Sequence, residues 1–214
     1  MAAAAASSAL GMAAADEPPA LNPFAKPPSA EREDAIAGYV ELSDGSMHPG
    51  LIYLTREKRL KIYDDKVQRQ REVPLQAVQQ IDCTVKKEWI EKEWRFKESA
   101  NDEKVYTGRS YPTRECLYTI TLRDGRTIAG PLSAIVYVRA KPPESAGADQ
   151  ERPQAEPAQF VLHKRDKGEL NADLASLVYV KRIKLGDEAY AEGAGRAAAR
   201  KQPVKGENRN LKAR

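Results

Sequence analysis

Cys83 and Cys116 are the residues whose type and spacing suggest chemistry most directly. Two thiols cannot supply a zinc site alone, and neither histidine lies at ligand spacing beside them. We therefore predict no metal and no cofactor. In an oxidising compartment the two thiols form a disulfide, which contributes about 3–4 kcal/mol in the loop-entropy model. The alternative is two buried thiols that never meet.

The two histidines offer no catalytic arrangement. His48 lies in the turn after Asp44-Gly45, and His163 ends an apolar run. A general base needs a positioned nucleophile and partner, and the sequence contains no Ser/His/Asp or Cys/His motif and no Gly-rich phosphate loop. We interpret both histidines as solvated or turn residues and predict a protein that is not an enzyme.

Four aromatic residues alternate with lysines and glutamates between the two cysteines: Trp89, Trp94, Tyr106 and Tyr111. Aromatic rings flanked by polar groups stack on sugars or on unpaired bases. Large aromatic side chains are mostly buried in proteins, however, so the sequence favours the alternative that these four fill a second core.

The basic charge of the chain is concentrated at its C-terminal end. Residues 193–214 hold seven basic side chains and one acid, a local net charge of +6. The rest of the chain therefore carries −2 of the total of +4, which argues against a folded domain with a basic nucleic-acid face. The tail is a candidate polyanion-binding segment or a solubilising, disordered end. Its basic residues are Arg196, Arg200, Lys201, Lys205, Arg209, Lys212 and Arg214.

These candidate residues must be positioned by strands, because the hydrophobic pattern has a period of two. Short β-branched and aromatic runs at 39–42, 51–54, 118–122 and 135–138 predict strands, and Asp44-Gly45 and Asp124-Gly125 predict hairpin turns. The insertion at 83–116 is compatible with a twisted β-ribbon or with a helix that carries favourable i,i+4 charge pairs. The strand-like runs at its ends favour the ribbon.

The two hairpins belong to an apparent internal repeat. Aligning Asp44-Gly45 with Asp124-Gly125 matches Gly50 with Gly130, and further on Ile81 matches Val180. Both copies read as a hairpin, a third strand, a short turn and a closing strand, which predicts a duplication.

This order of elements resembles the small five-stranded barrels of the Sm-like or SH3-like kind, in which an apolar-x-Leu-x-Asp-Gly hairpin comes first and a 3₁₀ turn precedes the last strand. The resemblance covers about 120 residues and implies two tandem small β-barrels in a mostly-β protein. In Sm-like families an Arg-Gly or Lys-Gly pair before the last strand binds RNA. Arg71-Glu72 and Lys167-Gly168 occupy roughly that region here, and only the second pair is partly similar.

The N-terminus resembles a secretory signal: a small-residue apolar run ends at Ala13-Ala14-Ala15, before the acidic, Pro-rich segment that begins at Asp16. No basic residue precedes the run, and a disordered Ala-rich leader is the alternative. No stretch is long and apolar enough for a transmembrane helix in the mature chain.

The sequence thus predicts a signal peptide at 1–15, a disordered Pro-rich linker at 16–37, a first small β-barrel at 38–82 and an inserted ribbon at 83–116. A second barrel follows at 117–187 with a disordered loop at 141–158, and a disordered basic tail covers 188–214. The hypothesis is a periplasmic or secreted, envelope-associated binding or scaffolding protein. Its partner would be an unknown protein or a cell-envelope polymer. The alternative is a cytoplasmic Sm-like protein that binds RNA or other nucleic acids.

Overall fold

The structure is a computed structural model that describes residues 32–98, 102–141 and 156–201. These residues form eleven strands, two short 3₁₀ turns and one helix. The strands are β1 (Ile36–Leu42), β2 (Met47–Leu54), β3 (Leu60–Asp64), β4 (Arg69–Val73), β5 (Val78–Phe96), β6 (Lys104–Leu122), β7 (Thr127–Gly130), β8 (Leu132–Arg139), β9 (Ala158–Leu162), β10 (Arg165–Lys167) and β11 (Val180–Leu185). The 3₁₀ turns at Leu75–Ala77 and Leu174–Ser176 precede β5 and β11, and α1 spans Asp187–Lys201.

The two Asp-Gly turns have the same geometry. Gly45 and Gly125 have φ of 79° and 84°, a left-handed conformation that glycine adopts without strain. In each turn the aspartate Oδ1 accepts a hydrogen bond from the backbone N–H two residues later, at 2.7 Å for Asp44 and 3.0 Å for Asp124. Both hairpins predicted at these turns are present, as β1–β2 and β6–β7.

All eleven strands belong to one antiparallel sheet, which is not closed. Its order is β10-β6-β5-β11-β1-β2-β8-β3-β4, with β7 beside β6 and β9 beside β8. The last strand of each predicted copy pairs with the first strand of the other, β11 with β1 and β5 with β6. The mostly-β class is confirmed, whereas two tandem barrels, each closing on itself, are not.

The core is shared between the two predicted copies. Ile81 in β5 and Ile183 in β11 are cross-strand partners and are 1% and 0% exposed. Val40 and Ile120, on the strands outside this pair, belong to the same buried cluster. Burial of apolar surface contributes about 25 cal/mol per Å², so the main stabilising term of each half depends on strands from the other half.

The alignment of the last strands needs a correction. The sequence matched Ile81 with Val180, but Ile183 is the residue that occupies the position of Ile81 in the pairing. The 3₁₀ turn at Leu75–Ala77 leads directly into β5, whereas Leu177–Tyr179 separate the second 3₁₀ turn from β11. Three extra residues therefore shift the register of the match.

The prediction of a disordered tail from residue 188 was wrong as far as residue 201, because this part is helical. Ala189 is buried, and Gly193 packs directly against the side chain of Tyr39. The helix packs through small residues four positions apart, so it lacks the bulky apolar stripe that usually marks an amphipathic helix. Acidic residues in its first turn and a 2.8 Å ion pair from Arg196 to Glu192 stabilise it.

The end of the predicted linker also needs a correction, because residues 32–37 are part of the fold. The Arg32 guanidinium pairs with Asp34 at 2.6 Å, donates to the carbonyl of Leu54 at 2.9 Å and lies 4.5 Å from the ring centroid of Tyr53. β1 then begins at Ile36. The predicted signal peptide, the linker before residue 32 and most of the loop at 141–158 lie outside the described residues.

Candidate interaction surface

The distal parts of β5 and β6 form a two-stranded arm, which we define as residues 86–96 and 104–114. The pairing runs from Glu88 opposite Arg114 to Phe96 opposite Lys104. None of the buried residues of the core cluster comes from this arm. The segment for which the sequence left ribbon and helix open is therefore a ribbon that extends beyond the core.

One face of the arm carries a group of aromatic rings near its tip. Trp94 and Tyr106 are cross-strand partners, and the Trp94 and Phe96 rings meet edge to face with centroids 5.0 Å apart. The Lys104 ammonium lies 4.2 Å from the Trp94 ring centroid. Tyr106 is 62% exposed and Phe96 51% exposed. We call Trp94, Phe96 and Tyr106 the aromatic tip.

The other face combines aromatic rings with cations. The register shift between Lys92 and Trp94 places its extra residues on β6, where residues 107–109 lie opposite Glu93. β5 itself keeps its alternation, so Trp89 and Trp94, five residues apart, point to opposite faces. The Trp89 ring has Lys87 and Arg165 near it, each 5.1 Å from the centroid. Tyr111 lies 5.0 Å below the Lys167 ammonium and accepts a hydrogen bond from it.

The four aromatic residues singled out from the sequence therefore do not form one site and do not fill a second core. Trp89 and Tyr111 lie on one face, whereas Trp94 and Tyr106 lie on the other. The interpretation that they are core residues was wrong, because none of the four belongs to the buried cluster or packs against it. Phe96, which belongs to the tip, was not among the predicted residues, although its i,i+2 spacing from Trp94 marks it in a strand.

The base of the arm is fixed by Arg114, which is only 6% exposed. Its guanidinium donates to Glu88 at 2.6 Å and to the carbonyl of Leu177 at 2.8 Å, and it lies 4.2 Å from the ring centroid of Tyr179. A buried guanidinium with three such contacts is strongly restrained. The arm is therefore oriented by the fold at its base and is free of core contacts at its tip.

The two cysteines lie next to the arm base and meet. Cys83 faces Tyr118 and Cys116 faces Val85 across β5 and β6, so the thiols are diagonal neighbours. Interaction with the neighbouring thiol raises the pKa of Cys83 and lowers that of Cys116. Both are free thiols in the structure, so the disulfide stays a prediction.

A carboxyl and a phenol complete this thiol cluster. Asp166 Oδ2 lies 4.0 Å from the Cys116 sulfur, and burial raises the pKa of Asp166. Burial also raises the pKa of Tyr118, whose hydroxyl donates to the carbonyl of His163 at 3.1 Å. No His, Cys, Asp or Glu group within the described ranges has the geometry of a metal site.

A groove that the sequence did not reveal lies where the β2–β3 turn meets β8 and β9. It has a volume of about 500 Å³, and its floor includes Ile135 and Val161, which are cross-strand partners. Its rim carries Lys58, Arg59, Lys61 and His163. The run of basic residues in the turn after β2 is the sequence feature that could have indicated this groove.

The other histidine, His48, contacts the Phe160 ring with centroids 4.9 Å apart.

The positions suggested by the Sm-like resemblance are not brought together. Arg71 lies in β4 and pairs with Asp64 at 3.0 Å, whereas Lys167 lies in β10 against Tyr111. β4 and β10 are the two ends of the strand order. Lys167-Gly168 therefore contributes to the arm and does not form a common site with Arg71.

Part of the predicted polyanion-binding tail is engaged in the fold. Arg196 pairs with Glu192, and Arg200 donates to the carbonyl of Asp44 at 2.9 Å. Lys201 is the last residue of α1. The remaining basic residues of the tail, Lys205, Arg209, Lys212 and Arg214, lie outside the described residues.

Comparisons of the chain with family models, with curated proteins and with solved structures return no match. Among the described residues, no helix is long and apolar enough to cross a membrane.

Proposed function

We propose that this protein is an exported, envelope-associated binding or scaffolding protein that contacts its partner through the arm. The observation that carries the proposal is the aromatic tip, because Phe96 and Tyr106 are more than half exposed on a ribbon outside the core. Exposed aromatic side chains beside lysines are enriched at binding surfaces, where their large apolar faces contribute most of the binding free energy. The arm is held at its base by Arg114, which lowers the entropy cost of presenting the tip.

The export part of the proposal rests on the signal-like N-terminus and is tested by the mature protein. We expect the chain recovered from an extracytoplasmic fraction to begin at Asp16, as read by mass spectrometry of its N-terminal peptide. A chain that retains Met1 and stays in the cytosol would contradict export.

A second candidate function, nucleic-acid binding in the cytoplasm, is favoured by one observation. The groove rimmed by Lys58, Arg59, Lys61 and His163 has no acidic side chain in its lining. This function predicts RNA binding that weakens as salt increases, because released counterions drive such binding. The measurement is fluorescence anisotropy of labelled RNA at low and high salt with Lys58→Glu as the variant. Absence of binding at low salt would exclude it.

We further propose that the two halves are duplicates of one small SH3-like unit that have exchanged their last strands. Glu41 faces Met47 in the first hairpin and Thr121 faces Thr127 in the second, which is the same register. β11 has one extra residue, Lys181, in its pairing with β1, and β5 has one extra residue, Gln79, in its pairing with β6. The two irregularities occupy matching positions in the two halves. The pairing of Ile81 with Ile183 then lies on an approximate two-fold axis between the halves.

A further inference from the structure

The outer edge of β5 along the arm has no strand partner, and the 3₁₀ turn at Leu174–Ser176 is the element of the described chain that contacts this strand next to β11. β11 pairs with β5 only at Gln80–Asp82, and β6 occupies the inner edge throughout. Within the described part of the chain, no other backbone hydrogen bond reaches residues 87–96 from the outer side. A long exposed edge presents unpaired N–H and C=O groups and is a template for a further strand.

The geometry of a symmetric pairing restricts which residues meet. A two-fold axis perpendicular to the ribbon brings the same edge of two copies together in antiparallel orientation. Such an axis keeps each face of the ribbon on its own side, so only residues on the same face can be partners. Each allowed register therefore places one residue of β5 on the axis, and the next allowed register places the neighbouring residue there.

The charges on β5 select one of these registers. With Ile90 on the axis, Lys87 faces Glu93 of the second copy, Glu88 faces Lys92 and Trp89 faces Glu91. Moving the axis to Glu91 places that residue opposite itself, and moving it to Trp89 places Lys86 opposite Lys92. Like charges directly opposite destabilise a strand pair, and opposite charges stabilise it.

We propose that the protein forms a two-fold homodimer in which residues 87–93 of β5 pair with the same residues of a second copy, with Ile90 on the axis. The proposal rests on the function proposed above, since it names one partner of the arm. Ile90 is 48% exposed in the single chain and becomes covered by its symmetry mate. Each Trp89 becomes the diagonal neighbour of the other, within reach of an aromatic contact. In this register each aromatic tip lies beside the base of the other copy's β5, with Trp94 opposite Lys86.

The test is a charge swap at Lys87 and Glu93, read by sedimentation velocity over a range of protein concentrations. In the proposed register Lys87→Glu places two carboxylates opposite each other, and Glu93→Lys places two ammonium groups opposite each other. Each change occurs twice by symmetry, so each single variant should weaken the dimer by about tenfold or more. The double variant K87E/E93K restores opposite charges between the copies, although Glu93→Lys also removes the 2.8 Å pair with Arg109 within the arm. It should therefore dimerise more tightly than either single variant.

The matched control is Lys66→Glu, which makes the same charge change at an exposed residue of the turn between β3 and β4, outside the arm. It should dimerise like the wild type, and circular dichroism should show every variant folded. A wild-type chain that stays monomeric at all concentrations overturns the dimer, as do single variants that dimerise normally or a double variant that dimerises no more tightly than they do. A monomer that still binds envelope material through its aromatic tip leaves the proposed function intact, whereas a dimer without that binding contradicts the function alone.

Discussion

Asp166 is a carboxyl group beside two thiols, and its only side-chain hydrogen bond among the described residues is the long one from Cys116. Burial raises its pKa in the folded protein above the ordinary value for aspartate. As pH rises above that ordinary value, the unfolded chain releases its proton first. The free energy of unfolding therefore decreases with pH through the window between the ordinary and the raised pKa.

Replacing this carboxyl should remove that pH dependence. Asp166→Asn is expected to flatten this part of the stability profile and to be more stable than the wild type at neutral pH. The measurement is urea denaturation followed by circular dichroism from acidic to neutral pH, with Asp65→Asn as an exposed control. A variant that is less stable than the wild type at neutral pH would show that the carboxylate is stabilised by its surroundings.

Residue types in the sequence identified the aromatic group and the thiol pair, but not their environments. Trp94 between Glu93 and Arg95 is compatible with a buried face or with an exposed one, because alternation marks a strand and does not say which face is covered. Only the structure shows that Trp94 and Tyr106 lie outside the core cluster and that Tyr106 is 62% exposed.

Gly50 in β2 and Gly130 in β7 lie where the backbone of a neighbouring strand comes very close. A Cβ on Gly50 would overlap the carbonyl oxygen of Arg139, and a Cβ on Gly130 would overlap that of Tyr63. Each replacement by alanine should therefore lower the free energy of unfolding by more than about 1 kcal/mol. The matched control is Gly195→Ala in α1, where nothing lies within 4 Å of the new atom and the helix gains about 0.5–1 kcal/mol.

These glycine variants are compared by chemical denaturation. Equal stability of Gly50→Ala, Gly130→Ala and the wild type would mean that the two backbones do not approach each other as the structure has them.

Elements with strong local signals were predictable. The hairpins at Asp44-Gly45 and Asp124-Gly125 follow from the turn chemistry of these pairs, and the strand around Trp94 follows from alternation. The helix α1 was not predictable by the same rule. Its packing residues, Ala189 and Gly193, have little or no side chain, so they give almost no hydrophobic signal. Its four-residue spacing of small residues is visible only once a packing partner such as Tyr39 is known.

The pairing of β11 with β1 and of β5 with β6 ties the two halves into one folding unit. β5 and β11 lie between β6 and β1, and each half lacks the strand that completes its own hairpin. A fragment of residues 32–98 therefore lacks Ile120 and Ile183, which share the core with Val40, and its apolar strands remain exposed.

We expect the fragments 32–98 and 102–201 to be unfolded separately and to recover β-structure when mixed. Circular dichroism of each fragment and of the equimolar mixture measures this. A fragment 32–98 that folds cooperatively alone would contradict the exchange and support two separate barrels. The repeat in the sequence could not settle this point, since it shows equivalent strands but not which half each closing strand pairs with.

The central claim at the scale of the whole molecule is that a shared-core body presents the aromatic tip to the cell envelope. The most direct measurement is co-sedimentation of the purified chain with insoluble envelope material, for the wild type and for the double variant F96S/Y106S. Both side chains are exposed, so the variant should keep the wild-type Tm within about 2 °C. The account predicts that the wild type sediments with the envelope and that the variant binds at least about tenfold more weakly. Equal binding of the variant and the wild type would contradict it.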